Sequence, residues 1–227
     1  MPKFKAAELV WDSSIYPRQD INEMHVNDLA ASLRLGNQLP PLTIEGAGKR
    51  IVDGLHRWRA QRKVNGDDCE IECVVKSYAN DGEMFLDAIA LNATHGLRLT
   101  KFEQTRCLVL AEAKNINPEL VCKAMRIEFD KGERVMRSST GFRRLGDGNR
   151  ERIPLKGSLS ALRGKTLSRE QEATNEYAGG MKPLYYINHV IGLVRSRVID
   201  WGGENVVAGL RELHGLLAEG LPKRTKA

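Results

Sequence analysis

The sequence predicts an α+β fold for residues 1–97, followed by an all-α helix-turn-helix region and a C-terminal helical hairpin. Three observations predict it. In the first segment, short β-branched runs alternate with stretches of helical apolar spacing. From Leu99 onward, well-capped helix starts replace strand-like alternation. Beyond Leu167, two apolar stripes flank the break Asp200-Trp201-Gly202-Gly203.

Each element has its own signal. Residues 6–10 (AAELV) read as a first strand. Tyr16-Pro17-Arg18 is extended or turning, because proline restrains its neighbours. Val26, Leu29, Ala30 and Leu33 keep helical spacing, with Asn22 or Asn27 as the cap and Gly36-Asn37 as the stop. Pro40-Pro41 opens an extended piece, and Leu42-Thr43-Ile44 is a strand. Gly46-Ala47-Gly48 turns the chain into Arg50-Ile51-Val52. A helix spans Leu55 to Val64 and ends at Asn65-Gly66. Glu70 to Tyr78 alternates like a strand, with Ile71, Cys73 and Val75 on one face. Glu83 to Thr94 is a helix carrying Met84, Ala88 and Leu91 on one side. The order is β-α-β-β-α-β-α.

Residues 98–140 read as a helix-turn-helix region. Thr100 and Glu103 have capping-box spacing ahead of a helix over 101–114. Asn117-Pro118-Glu119 opens a second helix, which runs to about Met125. Asp130 to Ser138 makes a third, after a turn near 126–129. Lys131, Arg134 and Arg137 share a face of that third helix, and Arg143-Arg144 follow. Gly132 counts against the helix. Residues 141–167, rich in Gly, Ser and Arg, read as a basic linker or flexible arm. Residues 168–227 return to helices, with stripes Leu184-Ile187-Val190-Ile191-Val194-Val198 and Val206-Val207-Leu210-Leu213-Leu216-Leu217. Such a pair suits packing back on the domain or pairing with a second copy, and a homodimer is the expected assembly.

Charge is distributed unevenly. The chain carries a net +6, yet between Arg98 and Lys165 sixteen Lys/Arg face eight Asp/Glu. A basic block of this kind points to nucleic acid. Cys69, Cys73, Cys107 and Cys122 form no CxxC pair and no zinc-finger spacing, so they read as reduced thiols and no metal site is predicted. No apolar run approaches the ~20 residues of a membrane span, and MPKFKAAELVWD has no signal-peptide core. A cytoplasmic location and no membrane partner are the expectations.

The most informative stretch is Ile51 to Ala60, IVDGLHRWRA. A short strand meets Asp53-Gly54, and a helix opens directly after it. Glycine there lets the backbone approach a ligand, and the helix start offers free N–H groups at a positive dipole end. His56, Arg57 and Arg59 add donors and charge, which suits a phosphate. The segment Gly54-Leu55-His56-Arg57-Trp58-Arg59-Ala60 resembles the phosphate-binding box of the ParB/sulfiredoxin-like superfamily. ParB proteins carry Gly-Glu-Arg-Arg there, and sulfiredoxins Gly-Cys-His-Arg. The resemblance extends from Glu8 to roughly Thr100 and includes the helix segment Leu29-Ala30-Ala31-Ser32-Leu33.

The resemblance implies a nucleotide, CTP with Mg²⁺, held through Gly54, His56, Arg57 and Arg59. It also implies double-stranded DNA as partner, and a role in DNA partition or transcriptional regulation. A second ParB motif, Glu-Asn-x-x-Arg, reads here as Asn92-Ala93-Thr94-His95-Gly96. Asn92 therefore stands at the acid position, and an amide is a poorer Mg²⁺ ligand than a carboxylate. Asn92 and His95 remain candidates for phosphate contact. CTPase-type hydrolysis is left open. Sulfiredoxin chemistry is excluded at this box, since Leu55 replaces its thiol. Asp53, Asp67 and Asp68 show no converging spacing for a nuclease. The alternative reading is an NTPase or phosphotransferase using the same cradle. Lys131, Arg134, Arg137, Arg143 and Arg144 are the expected DNA contacts.

Overall fold

The computed structural model describes residues 1–19, 21–94, 98–177 and 183–220. By internal packing the chain forms two compact units, Met1–Gly180 and Met181–Ala227.

The first unit begins with a mixed sheet. Strands β1 (Lys3–Lys5), β2 (Leu42–Glu45), β3 (Ile51–Asp53) and β4 (Glu70–Lys76) lie in the order β1-β4-β2-β3. β4 pairs antiparallel with β1 and parallel with β2, and β2 pairs antiparallel with β3. The expected strand at 6–10 is corrected. Ala6–Glu8 is a 3-10 turn, and only Val10 makes an isolated bridge, to Arg50. The turn arises because Ala6 and Ala7 donate to the Cys69 and Asp67 carbonyls, while Trp58 Nε1 donates to the Ala6 carbonyl. These bonds pull the chain off the sheet edge. On β4, Ile71 and Cys73 are buried, whereas Val75 lies 42% exposed near the strand's end.

Helices α1 (Glu23–Arg34) and α2 (Leu55–Asn65) pack together through Val26, Ala30 and Ala60. Asn22 is the α1 cap, accepting from the His25 amide. Trp58 and Leu55 of α2 join Leu42, Ile44, Ile51, Ile71 and Cys73 beneath the sheet. Helix α3 (Asp81–Thr94) faces two ways. Met84 and Ala88 pack on Val52 and Ile15, while Phe85 and Ile89 enter the core of the helices that follow.

Those helices are α4 (Lys101–Ala113), α5 (Pro118–Ala124) and α6 (Phe129–Ser138). The Thr100–Glu103 capping box and the Asn117 cap form as expected. Gly132, a liability by helix propensity, is a packing residue. A Cβ there would overlap Cys122 Sγ of α5, so glycine lets α5 and α6 approach.

The expected linker at 141–167 is corrected. Strands β5 (Thr140–Arg144) and β6 (Arg150–Pro154) make an antiparallel hairpin, followed by a 3-10 segment at Gly157–Leu162. Backbone bonds from Phe142 to Lys165 and from Leu167 to Phe142 tie the later residues to β5. Helix α7 (Arg169–Tyr177) belongs to the same unit, since Asn175 bonds the Lys156 amide and the Pro154 carbonyl. The composition suited a flexible arm, but the hairpin ladder and the backbone bonds to Ser139, Thr140 and Phe142 order it.

The second unit holds α8 (Pro183–Arg195) and α9 (Glu204–Gly220). None of its described residues is buried. Leu184, Ile187, Ile191, Val194, Leu213 and Leu216 are exposed. Among the described residues no helix is long and apolar enough to cross a membrane.

Candidate functional site

The cradle is built where β3 runs into α2. Gly54 caps α2 at φ +100°, in the left-handed region, and a Cβ on it would overlap Leu42 Cδ2. No other residue fits that corner. The first three helical amides belong to Leu55, His56 and Arg57. The Leu55 amide is taken by the Tyr16 hydroxyl at 3.3 Å. Among the described residues nothing bonds the amides of His56 and Arg57, so two donors remain at the positive end of the helix.

The side chains of the box behave differently from the expectation. Arg57 is folded inward and 19% exposed. Its Nη1 donates to the Pro40 and Pro41 carbonyls at 3.1 and 2.7 Å, and its Nη2 to Asp53 at 2.7 Å. It fixes the approach to β2, and its charge is balanced by Asp53. His56 Nε2 accepts from the Asn22 amide at 3.1 Å, so the ring is neutral with its proton on Nδ1. Burial, with help from the nearby charges of Arg18 and His25, pushes its pKa down to about 4. Arg59 is exposed, and Leu55, in the thiol position of a sulfiredoxin box, is fully buried and apolar.

Asn92, a candidate phosphate contact, sits inside the scaffold. It is 3% exposed, and both ends of its amide are hydrogen-bonded. Oδ1 accepts from the Tyr16 hydroxyl at 3.0 Å, and Nδ2 donates to the Val52 and Ala88 carbonyls at 3.3 and 2.9 Å. An amide supplies both donor and acceptor, which a carboxylate in this place does not. Asn92 is therefore buried and bonded at both ends of its amide. His95 lies outside the described residues. Among the described residues no cluster of three His, Cys, Asp or Glu side chains has metal-holding geometry.

Three residues that the motif reading passed over organise the site. Tyr16 links Asn92 to the α2 amide, and burial together with the Asp53 charge raises its pKa to about 12. Arg18, buried beside His56, pairs with Glu103 Oε1 at 3.2 Å. Arg106 donates to the carbonyls of Ser13, Tyr16 and Pro17. The signal was Tyr16-Pro17-Arg18, two polar side chains around a proline, read as an extended or turning piece.

The basic residues of the helical region lie on the surface. Lys131, Arg134 and Arg137 of α6 are exposed, while Val135 and Gly132 face inward. Arg137 pairs with Glu133 at 3.1 Å and Arg143 with Glu151 at 2.6 Å. Lys131, Arg134 and Arg144 make no ion pair among the described residues. The cradle residues and these basic residues form two separate groups.

Comparison with known proteins finds similarity over the stretch that holds the cradle. Residues 6–92 match the ParB N-terminal domain. A possible regulatory protein of the streptomycin biosynthesis operon of Streptomyces griseus is 38% identical over 77 residues, 34% of this chain and 20% of that protein. The transcriptional regulator NovG of Streptomyces niveus is 35% identical over 80 residues, 35% of this chain and 23% of its own length. The match thus spans about a fifth of each curated relative. Among solved structures, the truncated chromosome-partitioning protein ParB of Caulobacter crescentus, complexed to the centromeric parS site, is 21% identical with a TM-score of 0.44. It covers 60% of this chain and 71% of that one. The same ParB complexed with CTP-γ-S is 22% identical with a TM-score of 0.36, covering 60% and 76%. The box at Gly54 and the α+β order around it lie within the stretch, residues 6–92, that is similar to the ParB N-terminal domain.

Proposed function

We propose that this chain is a ParB-like, DNA-binding regulatory or partition protein whose N-terminal domain binds a nucleotide through its phosphates. The observation that carries the nucleotide half is the start of α2. Gly54 holds a backbone corner only glycine fits, and the amides of His56 and Arg57 point donors out of a helix N-terminus. The Arg57 guanidinium, bonded to the Pro41 carbonyl and to Asp53, braces that corner. CTP is the first nucleotide to consider, because the Gly54–Ala60 box resembles the phosphate box of ParB proteins and lies within the matched residues 6–92. A Mg²⁺ ion accompanying it would be held through the phosphates and water, since Asn92 is buried and offers a neutral amide in place of a carboxylate.

The DNA half rests on the exposed Lys131 and Arg134 of α6, the helix that follows the 125–128 turn, and on the basic excess around it. The regulatory names of the two Streptomyces relatives support transcription control, and the parS complex supports partition. The bare apolar faces of α8 and α9 favour pairing with a second copy, and a monomer by light scattering would remove that part.

The decisive experiment follows backbone amide resonances while CTP, ATP or GTP is added with Mg²⁺. The amides of His56 and Arg57 are expected to shift first and most. Saturating nucleotide that leaves both unmoved would eliminate the cradle. This readout is preferred to Arg57→Ala, which would also cut three intramolecular hydrogen bonds.

A further inference from the structure

The β5–β6 hairpin carries an arrangement that folding alone disfavours. Its register places Arg144 directly opposite Arg150, and Phe142 opposite Arg152 on the same face. Directly opposed side chains stand about 5 Å apart, and like charges there repel. The other face is ordinary by comparison, with Arg143 opposite Glu151 in an ion pair at 2.6 Å. Neither Arg144 nor Arg150 has an acidic partner among the described residues. Arg150 and Arg152 instead lie 5.9 and 5.6 Å from the Phe142 ring centroid. For Arg150 that contact steadies the guanidinium without neutralising it, whereas Arg152 also pairs with Glu112 at 3.2 Å.

The hairpin is also firmly rooted. One residue, Ser139, separates α6 from β5. Thr140 Oγ1 donates to the Met136 carbonyl at 2.8 Å, and the Leu155 amide donates to the Ser139 carbonyl at 2.8 Å. Two five-residue strands carry the tip roughly 17 Å from that root. The tip, 145–149, is closed by Leu145 to Asn149 at 2.8 Å, and Gly146 and Gly148 leave it slim. Its one carboxylate, Asp147, is turned onto the Asn149 backbone and side-chain amides.

We infer that this hairpin is a wing that grips the phosphate backbone of double-stranded DNA beside α6, with Arg144 and Arg150 as the paired phosphate contacts. The inference rests on the DNA-binding reading above and extends it to a second contact surface. An opposed arginine pair costs the free protein stability, and a phosphate between the two relieves the repulsion. The wing would position the chain on DNA without reading bases.

The test uses the full chain and fluorescence anisotropy on a mixed-sequence duplex, over a range of KCl concentrations. Wild type is expected to bind with a steep salt dependence. Arg144→Ala/Arg150→Ala should lower the slope of log K against log salt by about 2 and weaken binding about tenfold or more at 0.1 M salt. The double variant should melt no lower than wild type, because it removes a repulsive pair. Wild-type binding with an unchanged slope and affinity in the variant overturns the wing and spares the DNA-binding reading. Wild type that binds no duplex defeats the DNA-binding reading itself, and the wing with it. Tight CTP binding that is lost only in the double variant would assign the pair to nucleotide and overturn the wing.

Discussion

His56 holds the Asn22 amide with Nε2, and that bond exists only while the ring is neutral. Burial, Arg18 and His25 depress its pKa from 6.5 to about 4. Between those values the unfolded chain binds a proton at this residue and the folded chain does not. The contribution to stability is therefore complete above pH 6.5 and declines as the pH falls toward 4. Wild type should show a urea midpoint that drops over this window, and His56→Gln should flatten part of the drop. Parallel profiles for the two proteins would show that His56 does not titrate as described. Asn92 teaches a related lesson at the same scale. Its place in the motif was legible in the sequence, but its role was not. That role depends on Tyr16, Val52 and Ala88, which meet it only in the fold. The box itself was legible because a glycine corner and a helix start are local features.

At the scale of elements, Gly132 makes a sharp prediction. On an isolated helix, Gly→Ala gains about 1 kcal/mol. Here the added methyl would overlap Cys122 Sγ, a buried atom of α5. Gly132→Ala should instead destabilise the protein by roughly 1–3 kcal/mol in urea denaturation. Combining it with Cys122→Ala should recover much of the loss, since the second change removes the obstructing sulfur. A stabilised single variant would mean that α5 and α6 are not in this contact. The same scale explains why the β5–β6 hairpin was missed. Its faces alternate arginine with an aromatic or an ion-paired glutamate, so hydrophobic periodicity has little to act on. The helix caps at Asn22, Thr100 and Asn117 were legible because capping chemistry is set by neighbouring residues.

Over the first unit as a whole, the order of the N-terminal domain and the helices after it could be read from the sequence, but their connection could not. Glu103 shows why. The capping box with Thr100 is local and was expected, yet the same carboxylate receives Arg18 from 85 residues away, in a pair that is almost wholly buried. Arg106 adds bonds from α4 to the carbonyls of Ser13, Tyr16 and Pro17. Tyr16 in turn holds the Leu55 amide at the start of α2. A physical chain thus runs from the helical region through the 13–18 loop to the proposed phosphate cradle. Arg106→Met keeps much of the apolar stem and removes the donors, leaving buried carbonyls unpaired. It should cost about 2–3 kcal/mol of stability. It should also weaken the nucleotide-induced shifts of the His56 and Arg57 amides, with an affinity loss of roughly fivefold or more. Arg106 touches neither amide, so a direct loss of ligand contact would not explain that result. An affinity equal to wild type, in a variant that shows the expected loss of stability, would mean the loop braces the fold without tuning the cradle.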